Sequence, residues 1–235
     1  EATGTNAIWH DGDAAQARGI ASIGDPNGTL QGVGDFNADG AADILWRNAT
    51  TGDNAIWRSG DATQNQGVAG IADANWKIAG VGDFNGDGAD DILWRNTADG
   101  TNAIWRSGDS AQAQGVTAIG DPNWKIAGVG DFNGDGTDDI LWRNSADGSN
   151  AIWRSADSAQ AQGVTAITDP NWKIAGVGDY NADGAADILW RNEVTGSNSI
   201  WRSGDSGQAQ GVQDVADAQW KIPAQTGAAA PAASA

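Results

Sequence analysis

The phrase Gly-Val-Gly-Asp-(Phe/Tyr)-Asn occurs four times, with its Asp at Asp35, Asp83, Asp131 and Asp179, a constant step of 48 residues. Ile-Leu-Trp-Arg-Asn repeats at the same step and places Trp46, Trp94, Trp142 and Trp190. Ile-Trp-(Arg/His) gives Trp9, Trp57, Trp105, Trp153 and Trp201, and Trp-Lys-Ile gives Trp76, Trp124, Trp172 and Trp220. These series hold all 13 Trp, against three Phe and one Tyr. Of the 13 Lys and Arg, only Arg18 falls outside the repeat. Residues 81–128 and 129–176 differ at five of 48 positions, the mark of recent duplication. A fixed period of this length makes each unit a structural module that buries its apolar faces against its neighbours. It does not make a unique active site.

One unit predicts four short strands, at residues 76–82, 91–95, 102–106 and 115–119. Each run is rich in β-branched or aromatic residues and ends in Gly, Asp, Asn or Pro. No segment keeps a 3.6-residue apolar period, so helix should be nearly absent. Four strands per unit of this length predict an all-β fold, a β-propeller of about five four-stranded blades. Along the second strand Ile92 and Trp94 share one face, Leu93 and Arg95 the other. Both faces of a blade meet other blades, so the Trp series is expected as interblade core. Arg47, Arg58, Lys77 and their copies are expected to link to Asp or carbonyl groups.

The loop between the first two strands, Asp-Phe-Asn-Gly-Asp-Gly-Ala-Asp-Asp (83–91), carries the clearest chemistry. Side-chain oxygens stand at loop positions 1, 3, 5 and 9, with Gly at position 6. The four sets are Asp35, Asn37, Asp39, Asp43; Asp83, Asn85, Asp87, Asp91; Asp131, Asn133, Asp135, Asp139; and Asp179, Asn181, Asp183, Asp187. The position-7 carbonyls of Ala41, Ala89, Thr137 and Ala185 are expected to complete a shell. Alternate oxygens around a Gly turn suit a hard cation, and three carboxylates without His or Cys favour Ca²⁺ over zinc or copper. About four Ca²⁺ ions are expected. An EF-hand needs Glu at position 12, where this chain has Trp46, Trp94, Trp142 or Trp190. Three carboxylates within nine residues repel one another, and a bound cation removes that penalty.

Composition narrows the partners. Thirteen Lys and Arg against 31 Asp and Glu give a net charge of −18. That surface is wrong for a nucleic-acid backbone or an anionic membrane. No apolar run is long enough to span a bilayer. Without Cys there are no disulfides or thiolate sites, and His10 is the only imidazole. His10 stands where other units carry Arg, and no catalytic constellation, phosphate loop or nucleophile motif accompanies it, so no enzyme activity is expected.

The run Val-Gly-Asp-Phe-Asn-Gly-Asp-Gly-Ala-Asp-Asp-Ile-Leu-Trp resembles the FG-GAP/VCBS repeat family. The resemblance covers essentially residues 1–222. It implies a calcium-bearing β-propeller of the kind found in the integrin α-subunit head and in secreted bacterial adhesins and lectins. It supports the ligand positions above and nothing catalytic. Family rings usually have seven blades, whereas this chain has material for five.

The expected domain is residues 1–222, with units at about 29–76, 77–124, 125–172 and 173–220. The half-unit 1–28 is expected to supply strands at about 5–10 and 19–23 and, with Trp220-Lys221-Ile222, to close the ring. The fifth metal loop and its second strand are missing from that count, giving 19 strands rather than 20. Residues 223–235 form an Ala/Pro-rich tail, a linker or a donor segment for a neighbouring copy.

Two functions fit. The first is a secreted or cell-surface binding module for a glycan or a cell-surface protein. The rim formed by Ala-Asp-Gly-Thr-Asn (98–102) and Asp-Pro-Asn-Trp (121–124) then offers Asp99, Asn102, Asp121, Asn123 and Trp124 to a ligand. Asp121 and Asn123 equally suit a plain turn. The second is a structural subunit that binds copies of itself in an extracellular filament. Calcium loops of this kind suit extracellular levels of roughly 10⁻⁴–10⁻³ M.

Overall fold

The computed structural model of the protein describes residues 6–9 and 13–217. His10, the strand expected at Trp220–Ile222 and the tail 223–235 lie outside the described residues. Four sheets of four antiparallel strands follow one another along the chain. Blade 1 holds β3 (Gly28–Gly34), β4 (Asp43–Asn48), β5 (Asn54–Trp57) and β6 (Asn65–Val68). Blade 2 holds β7 (Trp76–Gly82), β8 (Asp91–Asn96), β9 (Asn102–Trp105) and β10 (Ala113–Val116). Blade 3 holds β11 (Trp124–Gly130), β12 (Asp139–Asn144), β13 (Asn150–Trp153) and β14 (Ala161–Val164). Blade 4 holds β15 (Trp172–Gly178), β16 (Asp187–Asn192), β17 (Asn198–Trp201) and β18 (Ala209–Val212). The innermost strands β3, β7, β11 and β15 contact one another in that order. This is a β-propeller arrangement with four complete blades among the described residues.

The fifth four-stranded blade of the sequence expectation is represented there by a two-stranded sheet, β1 (Asn6–Trp9) with β2 (Ala17–Ile20). That hairpin meets blade 1 as a preceding blade does. An added Cβ on Gly60 would stand 3.1 Å from Ile8, just as Gly108 faces Ile56 and Gly204 faces Ile152. Arg18, the one cation outside the repeat, donates to the Ser59 carbonyl across this seam.

The last two strands of each unit are shorter or shifted relative to the sequence reading. β9 stops at Trp105 because Ser107 takes φ 47° and Gly108 φ 75°, a left-handed turn that an extended strand cannot continue through. Asp109 then caps a three-residue 3₁₀ turn by accepting from Ala111 N at 2.9 Å, and β10 starts at Ala113. The expected strand at 115–119 therefore begins two residues earlier and ends at Val116. Among the described residues no α-helix occurs, only such 3₁₀ turns.

Each inner strand carries a bulge, between Ile78 and Gly80 in blade 2. A Cβ on Gly80 would lie 2.5 Å from Val129 Cγ2 of the next blade. The inner strands approach too closely there for any side chain, which is why the repeat keeps Gly.

The core lies between the blades. Phe36, Leu45, Ile56 and Val68 of blade 1 pack on Val81, Ile92, Trp94 and Trp105 of blade 2. The same eight positions, with Ala156 of blade 3 added, join blade 2 to blade 3. They recur, with Ala186 added, between blades 3 and 4. Trp94, Trp142 and Trp190 are fully buried, each contributing on the order of 3 kcal/mol by burial. Each touches the Trp of its third strand with ring centroids 4.9–5.1 Å apart at about 51°. The interblade role expected for these two Trp series is what the blades show.

Candidate metal centre

The four acidic loops sit at one rim, where each inner strand turns into the second. Their geometry is the same in every blade. In blade 2 the position-1 carboxylate of Asp83 organises the turn. Its Oδ1 accepts from the backbone of Gly86 at 2.7 Å and Asn85 at 3.2 Å, and its Oδ2 from Gly88 at 2.8 Å. Asn85 Oδ1 accepts from Asp87 N, and Asn85 Nδ2 donates to Asp87 Oδ2, both at 2.9 Å. Asp87 Oδ1 accepts from Ala89 N at 2.9 Å. Gly88, at position 6, takes φ 87°, the conformation that lets the chain reverse.

Position 9 plays a different part. Asp91 is fully buried and holds the loop from beneath, accepting from Phe84 N at 3.2 Å and from Ser107 N at 2.9 Å. Asp43, Asp139 and Asp187 do the same for Phe36 and Ser59, Phe132 and Ser155, and Tyr180 and Ser203. In blade 1 Arg58 adds an ion pair to Asp43 at 2.8 Å.

The loops thus gather positions 1, 3 and 5 into one turn and place position 9 under it. Their side-chain oxygens are spent on backbone N–H groups. Among the described residues no three acidic side chains converge on a common point. The donor chemistry nonetheless fits a hard divalent cation: three carboxylates, an amide oxygen and the position-7 carbonyls of Ala41, Ala89, Thr137 and Ala185. A carboxylate offers about four lone-pair sites, so an N–H bond does not exhaust it.

Sequence reading passed over loop position 8. Asp90 Oδ2 accepts from Asp35 N at 2.6 Å, while Asp90 N donates to Asp35 O at 2.8 Å. Asp138 clasps Asp83 of blade 2 in the same two ways. In blade 4 Ala186 keeps the backbone half, donating to Asp131 O at 2.6 Å. These bonds tie each loop to the one before it. The available signal was the alternation of Ala42, Asp90, Asp138 and Ala186 within otherwise matching loops.

The FG-GAP-like repeat matches three times, over residues 35–94, 83–142 and 131–190. The chain belongs to that family. Each match runs from one acidic loop through the second strand of the following blade. No curated protein matches the chain. Among solved structures, the FG-GAP-like chain is similar to a catalytically inactive virginiamycin B lyase from Staphylococcus aureus. That likeness has a TM-score of 0.50 and 8% identity, covering 90% of this chain and 62% of the lyase chain. It is also similar to a chain of the nidogen/laminin complex, with a TM-score of 0.48 and 10% identity, covering 88% and 87%. A third likeness is to the V. cholerae biofilm matrix protein Bap1, with a TM-score of 0.34 and 17% identity, covering 83% and 32%. At such identities the likeness concerns fold alone.

Electrostatics single out the same rim of the FG-GAP-like propeller. Burial pushes Asp138 up to about 7 and Asp90 to about 6, and the neighbouring loop carboxylates push the same way. Burial also raises Asp91 and Asp139 to about 6. By contrast the bond from Asn37 holds exposed Asp39 below the usual range, and the Gly184 N–H does so for Asp179.

The opposite rim holds the residues expected to meet a ligand, and most of them serve the fold. Asn102 is buried, accepting from Arg95 Nη1 at 3.0 Å and donating to Thr117 O at 2.8 Å. Asp121 Oδ1 accepts from the backbone and the amide of Asn123, both at 2.9 Å, which is the turn-forming arrangement. Trp124 is half-buried and its carbonyl accepts from Arg95 Nη2. Asp99 is exposed and accepts from Thr101 N at 2.8 Å.

Proposed function

We propose that this FG-GAP-like propeller is a calcium-binding interaction module that works outside the cell and catalyses no reaction. The observation that carries the reading is the acidic loop, present four times with every ligand position intact and locked in one geometry by the buried position-9 Asp. The half-buried Asp90 and Asp138 beside the loops support it: burial chiefly raises them, neighbouring carboxylates add to the rise, and an adjacent cation would relieve that added repulsion. When bound, Ca²⁺ supplies positive charge to positions 1, 3, 5 and 9. The chain itself gathers positions 1, 3 and 5 into one turn over position 9 and clasps the loops of blades 1 and 2 to Asp90 and Asp138 of the next blade. The partner is a glycan or a cell-surface protein presented to the rim or sides of the blades. Among the described residues no helix is long and apolar enough to cross a membrane.

Calorimetric titration of metal-free protein with CaCl₂ tests this directly, with melting followed in parallel. We expect saturable binding of about four ions and a melting temperature that rises by several degrees with calcium and falls on chelation. Absence of heat and an unchanged melt in excess chelator would overturn the calcium reading.

A further inference from the structure

On the rim opposite the acidic loops, three cations converge at one seam. Between blades 2 and 3 a cavity of about 390 Å³ opens there, lined by Lys77, Arg95 and Lys125 among apolar side chains such as Ile78, Pro122 and Ile126. No carboxylate lines it: Asp99 and Asp121, which flank the lining residues, are engaged in their own turns, accepting from Thr101 N and Asn123 N.

The three cations are placed at a cost. Lys77 stands directly across from Arg95 in the β7–β8 register, and Lys125 across from Arg143. Like charges in register repel. Arg95 spends its donors on neutral oxygens, those of Gly100, Asn102, Ile119 and Trp124, at 3.0–3.2 Å. Burial pulls its pKa down, and the one carboxylate acting on it, Asp99, is exposed and turned to its own loop. Lys77 and Lys125 are exposed, and their side chains make no hydrogen bond or ion pair with any described residue. Two free ammonium groups therefore face a cavity with a fixed buried charge behind them and an apolar floor. That combination attracts an oxyanion carried on a compact body with an apolar face.

The arrangement recurs. Lys125, Arg143 and Lys173 occupy the same positions at the next seam, with Arg143 again held by neutral oxygens. At the seam before, Thr29 replaces the first Lys. The two sets share Lys125 and so form one row of five cations along successive blades, which suits a ligand that repeats its charge, because the second contact then forms at high effective concentration.

We propose that the Lys77–Lys125 cavity, with the cation row continued by Lys173, binds the carboxylates of an acidic polysaccharide of the uronic-acid class. The lysines donate to the carboxylate, and Arg95 or Arg143 supplies the standing charge. The proposal deepens the interaction-module reading and rests on it for the choice of a glycan.

The test uses oligogalacturonate, titrated into the calcium-loaded full chain at low ionic strength. The controls are a neutral galactose oligomer, monomeric galacturonate and polyphosphate. We expect binding that weakens with salt, weakens further for the monomer and is absent for the neutral oligomer. A Lys77→Gln/Lys125→Gln variant should lose at least about tenfold in affinity, two charge-assisted hydrogen bonds having gone. Its melting temperature should hold or rise slightly, since neither lysine has a side-chain partner in the fold and each faces an Arg in register. Undetectable binding, equal affinity in the variant, or equal binding of the neutral oligomer would overturn the proposal. So would equal binding of polyphosphate, which would make the site a general polyanion site. Neutral-glycan binding that survives in the variant leaves the module reading standing while this site fails, and the calcium titration addresses the loops separately.

Discussion

Asp138 and Asp83 are bonded in both directions across the seam between blades 2 and 3: Asp138 N donates to Asp83 O at 2.7 Å, and Asp138 Oδ2 accepts from Asp83 N at 3.0 Å. The bond places a half-buried carboxylate beside the acidic loop of the preceding blade. Its chemistry governs how the rim responds to protons.

The first prediction is a reversed pH dependence. Asp138 and Asp90 titrate at about 7 and about 6 in the folded chain, against an ordinary 3.8. The folded state holds these protons more tightly than the unfolded state, so their contribution to stability is fullest below about pH 4 and is lost as pH rises towards 7. Without divalent cations, melting should be higher at about pH 5 than at about pH 8. Asp138→Asn keeps the acceptor and removes the charge, so it should raise the melt at the alkaline end and flatten the slope. Metal-free melts that are level or rise over this range would refute the assignment.

Loop positions 5 and 9 should separate under mutation. Asp87 is exposed and bonds only within its loop, to Asn85 and Ala89. Asp91 is fully buried and holds two backbone N–H groups. Asp91→Ala should therefore cost about 2–4 kcal/mol of unfolding free energy with or without calcium, because both donors are left unpaired. Asp87→Ala should leave the metal-free stability within about 0.5 kcal/mol and reduce the calcium-induced increase. Urea unfolding of both variants, with calcium and with chelator, reads the split.

The contrast between these positions shows what the sequence could and could not convey. Period, the four strands of each unit and the faces of Ile92 and Trp94 follow from local alternation, and the four complete blades carry them as read. The loop's oxygen pattern is equally local. Asp90 and Asp138 escaped notice because their partners, Asp35 and Asp83, lie in another blade 55 residues away. Asn102 read as a rim residue because strand ends look alike in sequence. Only the packed seam shows its side chain turned onto Arg95. The first strand of a fifth blade, inferred at Trp220–Ile222 from counting units, lies outside the described residues.

Arg95 carries a third prediction. Its guanidinium lies 5.0 Å from the Trp142 ring centroid while its nitrogens reach four oxygens of two blades. Arg95→Met leaves the Ile119 and Trp124 carbonyls without this donor and removes the stacking charge, for a loss of about 3–5 kcal/mol. Arg95→Lys keeps the charge but not the planar fork and should fall between. Equilibrium unfolding in urea, at constant m-value, measures both. A loss under about 1 kcal/mol for Arg95→Met would show that the seam does not depend on it.

Two glycines of blade 2 should respond in opposite ways to the same substitution. Gly100 turns the chain at φ 78°, and an added Cβ would stand 1.9 Å from the Ile119 carbonyl oxygen, which is backbone and cannot swing aside. That carbonyl also accepts from Arg95, so displacing it disturbs the seam as well. Gly100→Ala should cost more than about 3 kcal/mol, from left-handed strain together with the clash. Gly115 lies in β10 opposite Ala103, with nothing within 4 Å of an added Cβ. There the main effect of Ala is on the unfolded chain, whose entropy it reduces, and a gain of about 0.4–1 kcal/mol is expected. Paired melts of the two variants decide the matter. Equal losses would mean that glycine serves both sites for backbone freedom alone, whereas loss at Gly100 with gain at Gly115 ties the repeat's loop glycine to the crowded seam.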